Sequence, residues 1–202
     1  MRKYKPYPEY RDSGTDWLGK IPSKWQILPL WTLFHQTKRL GHAEETLLSV
    51  YRDHGVIPKS SRDDNKNRAS DDLGLYQLVE EGCLVTNKMK TWQGSIAISR
   101  FRGIVSPAYF VLMPQHEQNP AYLHHLLRSI PYIAGYNSAS KGVRVGQWDL
   151  DANLFRTFPV LLPTAEEQAA IATALDRETA LIDALIEKKT RFIELLKEKR
   201  QA

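Results

Sequence analysis

From Thr164 to the last residue the chain contains neither glycine nor proline, and its apolar residues recur at alternating steps of four and three. Ile171, Leu175, Glu178, Ile182, Leu185, Lys189, Phe192 and Leu196 fall on that repeat, and six of these eight are apolar. Such a repeat is the seam of a coiled coil. Just before it runs the clipped segment Phe158-Pro159-Val160-Leu161-Leu162-Pro163. Thr164 can cap the helix through its hydroxyl, and Glu167, three residues on, can reach back to the cap residue's own N–H. At 1.5 Å per residue the predicted helix is roughly 55 Å long. A helix of that length projects from a small domain as an arm, and an arm implies a partner or a spacing to be measured.

The 202 residues fit one domain over 1–160 and the arm over 161–202. A hydrophobic content of 42% with five tryptophans supports a packed core. No apolar run approaches a membrane span, and the charged, Tyr-rich N-terminus has no signal-peptide stretch, so the expected location is cytoplasmic. The single Cys83 excludes an internal disulfide and a Cys-rich zinc site, and its apolar neighbours predict a buried, inert thiol.

Strand and helix signals alternate irregularly, which predicts an α+β domain, a mixed globular unit followed by the long coiled-coil helix. Thr46 to Tyr51 reads as a buried strand. Gly82 to Lys88 and Ser95 to Phe101 read as a strand pair joined through Lys90-Thr91-Trp92-Gln93-Gly94, and Ile104 to Met113 as a further strand interrupted by Pro107. Asn119-Pro120 is a cap and first-turn proline, opening a helix whose buried face is expected to be Tyr122, Leu123, Leu126, Leu127 and Ile130, with Pro131 as its stop. Pro58 to Asp72 and Gly135 to Gly146 read as loops.

Net charge is only +5, but its distribution is uneven. Gly82 to Trp148 holds seven Lys or Arg and one acid, Glu117, whereas the flanking regions are nearly balanced. Such a stretch attracts phosphates. Within it, Lys88, Lys90, Trp92 and Gln93 cluster at one hairpin end. Lysine meets phosphate, glutamine can read adenine bidentately, and an exposed tryptophan can wedge or stack. The same residues also fit a core Trp92 flanked by solvated lysines. On the second loop, Ser140, Lys141, Arg144 and Gln147 stand near Gly142 and Gly146, which permit close backbone approach. Arg62, Asn65 and Arg68 could add base contacts, although that loop is charge-balanced.

Motifs for catalysis are not found: no GxGxxG, P-loop, GxSxG or HExxH, and no Asn/Asp-Pro-Pro-Tyr of an amino-group methyltransferase. Adjacent His124 and His125 diverge by about 100° on a helix and cannot easily share a metal. The expectation is a binding protein with no active site and no cofactor of its own.

Tyr10-Arg11-Asp12-Ser13-Gly14, Trp17-Leu18-Gly19-Lys20-Ile21-Pro22, Leu47-Leu48-Ser49-Val50 with Gly55-Val56-Ile57-Pro58, and Asn87 to Gly94 form one set of motifs. Gly103 to Tyr109, Ser140 to Arg144, and the Pro159 to Gln168 junction into the helix complete it. Together they resemble the specificity (S) subunits of type I restriction–modification systems. The resemblance implies a target recognition domain that reads one half of a bipartite site in double-stranded DNA, and a helix that pairs antiparallel with another as a ruler between half-sites. It implies a non-catalytic subunit carrying a methyltransferase (M) subunit, which uses S-adenosylmethionine to methylate adenine, and a motor-nuclease (R) subunit, which uses ATP and Mg. A usual S subunit has two recognition domains and two helical regions; this chain has one of each, as a half-subunit or a fragment would. The expected arrangement is a homodimer through Ile171, Leu175, Ile182, Leu185, Phe192 and Leu196. An autonomous dimeric DNA-binding regulator and a scaffold without DNA contact are the alternatives.

Overall fold

The structure, a computed structural model, describes residues 5–62, 70, 72–144 and 147–201. In chain order its strands begin with β1 (Tyr10–Asp12), β2 (Lys20–Pro22), β3 (Gln26–Pro29), β4 (Phe34–Thr37), β5 (Leu48–Tyr51), β6 (Gly55–Pro58) and β7 (Gln77–Val79). They continue with β8 (Leu84–Asn87), β9 (Ile96–Ile98), β10 (Gly103–Val105) and β11 (Tyr109–Pro114). Then come α1 (Pro120–Leu127), α2 (Ile130–Ser138), β12 (Ser140–Arg144), β13 (Gln147–Leu150), α3 (Ala152–Arg156), β14 (Pro159–Leu162) and the arm, α4 (Ala165–Gln201). The α+β class and the long C-terminal helix are as expected.

A four-stranded antiparallel sheet in the order β4-β11-β8-β9 forms the centre. Two-stranded ribbons surround it: β1-β2, β3-β14, β5-β6, β7-β10 and β12-β13. The interruption expected at Pro107 in the stretch from Ile104 to Met113 is a full break, and the stretch forms two strands. Pro107 has no N–H to give a ladder, and a turn closed by Tyr109 N–H on Ser106 O (3.1 Å) sends β10 and β11 to different partners.

One core cluster lies between the sheet and the helices, with Phe34, Leu84, Ile96, Tyr122, Leu123, Leu127, Tyr132 and Tyr136 all nearly inaccessible. Three buried tyrosines donate to backbone oxygens: Tyr122 to Leu161 (2.9 Å), Tyr132 to Pro159 (2.9 Å) and Tyr136 to Leu127 (3.0 Å). The first two fasten α1 and α2 to β14. Burial pushes all three phenols above their ordinary pKa. A second cluster, including Val50, Val79, Cys83, Val85 and Val111, fills the space under the β5–β6 ribbon. Cys83 is fully buried and burial raises its thiol pKa, in keeping with an inert role.

Two local expectations are corrected between residues 127 and 146. Ile130 is 83% exposed rather than part of the buried face of α1. Helix α1 ends at Leu127, and Pro131 stands in the first turn of α2, where its missing N–H costs nothing. Gly135 is not in a loop. It lies inside α2, where a Cβ would sit 2.7 Å from the Trp17 ring, so the glycine is what lets the tryptophan dock. Trp17 is in turn held by Tyr132 (5.1 Å) and Phe158 (5.4 Å). The residues after α2 then form the β12–β13 hairpin.

The root of α4 is tied to the domain. Thr164 caps it weakly, Oγ1 accepting from Glu167 N–H at 3.3 Å. The reciprocal half of the expected capping box does not form, because the Glu167 carboxylate accepts instead from the Tyr7 hydroxyl and from Trp25 Nε1. Buried Gln168 joins the arm to α1: its Oε1 accepts from Asn119 N–H (3.1 Å), and its Nε2 donates to Gln118 Oε1 (2.7 Å) and Pro163 O (3.0 Å). His125 Nε2 lies 2.7 Å from Asp176 Oδ1. Ile171 is half-buried against the core and Ala172 is buried, after which every arm side chain with an assigned accessibility except Ala174 is exposed. Among the described residues no helix is long and apolar enough to cross a membrane.

Candidate nucleic-acid interface

The turn between β8 and β9 is built from threonine hydroxyls. Thr91 Oγ1 donates to Asn87 O (2.6 Å) and lies 2.7 Å from Thr86 Oγ1, which reaches Ser95 O at 3.0 Å; both threonines are inaccessible. Asn87 Oδ1 accepts from Met89 N–H (3.0 Å), and Gly94 closes the turn at φ +94°, a left-handed angle that favours glycine. The result is a one-turn 3-10 helix, Thr91–Gln93, whose backbone is tied down by buried hydroxyls.

This turn divides the four hairpin residues into two pairs. Lys90 and Gln93 point outward and are exposed. Lys88 Nζ donates to Pro107 O (3.0 Å) and sits 4.8 Å above the Phe110 ring. Trp92 is half-buried against Trp148, centroids 4.9 Å apart, and its Nε1 donates to Met89 O. Trp92 therefore braces the turn on the β12–β13 hairpin rather than standing free.

Lys90 and Gln93 form one wall of an open polar cleft of about 330 Å³, whose opposite wall is the β5–β6 hairpin with Tyr51, Arg52 and His54, joined by Arg62. The Arg62 guanidinium lies 5.4 Å over the Tyr51 ring and contacts His54. Among the described residues the Tyr51 hydroxyl, buried at the cleft, has no hydrogen-bond partner. Asp53 is held below its usual pKa, mainly by its hydrogen bond with Arg52 (3.0 Å). Sequence reading missed this wall. Arg52 and His54 are some forty residues from Gln93, and only the pairing of two hairpins against one core brings them together.

The positive stretch is also partly neutralised in space. Arg102 is paired with Glu45 (2.7 Å) and Glu80 (3.0 Å), acids from the preceding region. Arg128 is mostly buried and donates to Ile96 O and Arg52 O, bracing the β5–β6 hairpin. At the second expected site the Ser140 hydroxyl is spent on Tyr136 O (2.8 Å). The side chains of Lys141, Arg144 and Gln147 lie outside the described residues, as do Asn65 and Arg68.

No family model matches the sequence. Solved structures do match the fold. A chain of a type I R-M system aligns with TM-score 0.61 and 18% identity over 90% of this chain and 49% of that one. The HsdS subunit from Thermoanaerobacter tengcongensis aligns with TM-score 0.54 and 19% identity, over 87% and 48%. The S subunit of the type I system of M. genitalium aligns with TM-score 0.53 and 12% identity, over 81% and 41%. The fold is that of a type I specificity subunit. The chain spans about half the length of the solved chains it matches.

Two features complete this S-subunit fold. The seam residues of the arm lie open: Leu175 is 41% exposed, Ile182 58%, Leu185 53%, Phe192 61% and Leu196 50%. Ile171 alone among the six is half-covered by its own domain. Secondly, His124 sits under the β6–β9 edge, its Cε1 within 3.2 Å of where a Cβ on Gly55 would stand, with Nδ1 unpartnered. Burial, and then the positive charge of Arg128, push its pKa down to about 4. Because the folded value lies below the unfolded value of about 6.5, the stability linked to the neutral ring is complete above pH 6.5 and is lost as pH falls toward 4. Between pH 7 and pH 4, His124→Leu should lose roughly 2–3 kcal/mol less unfolding free energy than the parent chain, read by urea titration at each pH. Parallel pH profiles for the two proteins would contradict this account of His124.

Proposed function

We propose that this chain is the DNA-recognition component of a type I restriction–modification complex, reading one half of an interrupted site. The observation that carries this reading is the shared S-subunit fold over 90% of the chain, in which one domain presents a basic-and-amide cleft beside a long free arm. Lys90 supplies phosphate contact and Gln93 a base-edge contact, with Arg52 and Arg62 on the facing wall. In the same proposal Lys141, Arg144 and Gln147 of the β12–β13 hairpin add further DNA contacts, Ser140 braces that hairpin through its bond to Tyr136 O, and Lys88 contributes field rather than direct contact. The chain itself carries out no catalysis. An M subunit holding S-adenosylmethionine and an R subunit using ATP and Mg dock on it, and two copies associate through the exposed seam, since an apolar stripe of this length is stable only when covered.

The two cleft residues separate in their effects. Lys90→Ala should weaken binding about equally on all duplexes and reduce the dependence of log affinity on log salt by about 1. Gln93→Ala should cost about 1–3 kcal/mol on the recognised site alone, lowering discrimination. Fluorescence anisotropy across a salt series measures both. If neither variant changes affinity or salt slope, the cleft is not the interface.

A further inference from the structure

The arm carries a charge gradient. Residues 165–187 hold six acids and one base, and residues 188–201 hold six bases and two acids. Side by side in parallel, two such arms set like charge against like; antiparallel, each acidic root meets the partner's basic tip. The seam adds a finer constraint. Its two polar positions are Glu178 and Lys189, both exposed; Glu178 accepts from the adjacent Arg177 (2.7 Å), a bond across open surface, and Lys189 has no ionic partner among the described residues.

We propose that the arms of two copies pair antiparallel in a single register that places Glu178 opposite the partner's Lys189. This rests on the self-association reading above, with the antiparallel orientation that the family resemblance implies, and goes beyond it by fixing the alignment of the two arms. In this register the remaining layers are Ile171 with Leu196, Leu175 with Phe192, and Ile182 with Leu185, so every apolar seam residue meets an apolar one. Sliding one arm by a heptad sets Glu178 against Leu196 and Lys189 against Leu185, or Lys189 against Ile171 and Glu178 against Ile182. Each slip buries two unpaired charges per chain against hydrocarbon. A buried charge pair adds little net stability, but leaving either member unpaired is costly, so the pair selects register. The overlap from Ile171 to Leu196 is about 39 Å along the axis, and it brings the tip of each arm to the other's domain, where Ile171 is half-covered already.

A charge exchange on the full chain tests this by sedimentation equilibrium. Glu178→Lys and Lys189→Glu should each raise the dimer dissociation constant about tenfold or more, and the double exchange should return it to within about threefold of the parent. A double exchange no tighter than the single variants, in a protein that is otherwise dimeric, overturns the register while leaving self-association intact. A parent chain that stays monomeric at high micromolar concentration overturns both. A second measurement does not depend on charge: Leu175→Cys combined with Phe192→Cys should form interchain disulfides on oxidation, whereas Leu175→Cys with Leu185→Cys should not. The reverse pattern also overturns the register.

Discussion

If the arms of two copies pair as proposed, replacing Ile182 and Leu185 together by glutamate should yield a chain that folds normally and stays monomeric. Both side chains are more than half exposed in the single chain, and neither lines the cleft where Asp176, Thr179, Ala180 and Asp183 of the arm face the domain, so the substitution removes nothing the domain uses. In the paired arms the same two positions face each other at the two central layers. Burying a leucine or isoleucine there is worth about 1.5–3 kcal/mol each, and four carboxylates in their place add repulsion. The dimer dissociation constant should therefore rise by more than about a hundredfold, with the urea midpoint of the domain unchanged. Sedimentation and chemical denaturation of the same samples separate the two effects. A dimer of undiminished affinity would mean that another face of α4 associates.

The second large effect is on folding. Gly103→Ala should lower the unfolding free energy by about 3 kcal/mol, at the upper end of overpacking costs. At Gly103 an added Cβ would lie 2.4 Å from the Thr46 carbonyl oxygen and 2.7 Å from Leu48 Cγ. The first of these is backbone and cannot rotate away. It is also the acceptor for Ile104 N–H (2.9 Å), and Leu47 bridges Ile104 beside it, so relief would open the join between β10 and the chain entering β5. With a urea slope of about 2 kcal/mol/M the midpoint should fall by roughly 1.5 M. A fall under about 0.3 M would show that this join is pliable.

Local chemistry made much of the fold legible. Asn119 followed by Pro120 opens a helix as expected, with Asn119 Oδ1 accepting from Tyr122 N–H at 3.0 Å, and Thr164 starts the arm. The strand pair around Lys90 to Gly94 follows from its alternation and its glycine. What sequence could not separate were uses of the same residue type. Pro131 stops one helix and starts the next, and either role alone looks identical in the chain. Gly135 and the glycines after it suggest a loop, yet Gly135 serves close packing against Trp17, whose position is set some 120 residues earlier in the chain. The candidate site was half visible. Lys90 and Gln93 stand in an acid-poor stretch, but the wall they face comes from a hairpin remote in sequence. Arg102 looks like part of the positive field until Glu45 and Glu80 are brought beside it. Trp92 offered itself as a wedge for bases, whereas Trp148 claims its ring.

If two copies pair their arms as proposed, one recognition domain, repeated, reads a symmetric and interrupted DNA site for an adenine methyltransferase. Methylome sequencing of cells that express this chain with its M subunit tests it most directly. The expected result is adenine methylation at an interrupted palindrome, abolished by the Ile182→Glu and Leu185→Glu pair and altered in its specific bases by Gln93→Ala. An asymmetric methylated motif, or methylation that does not depend on this chain, would contradict it.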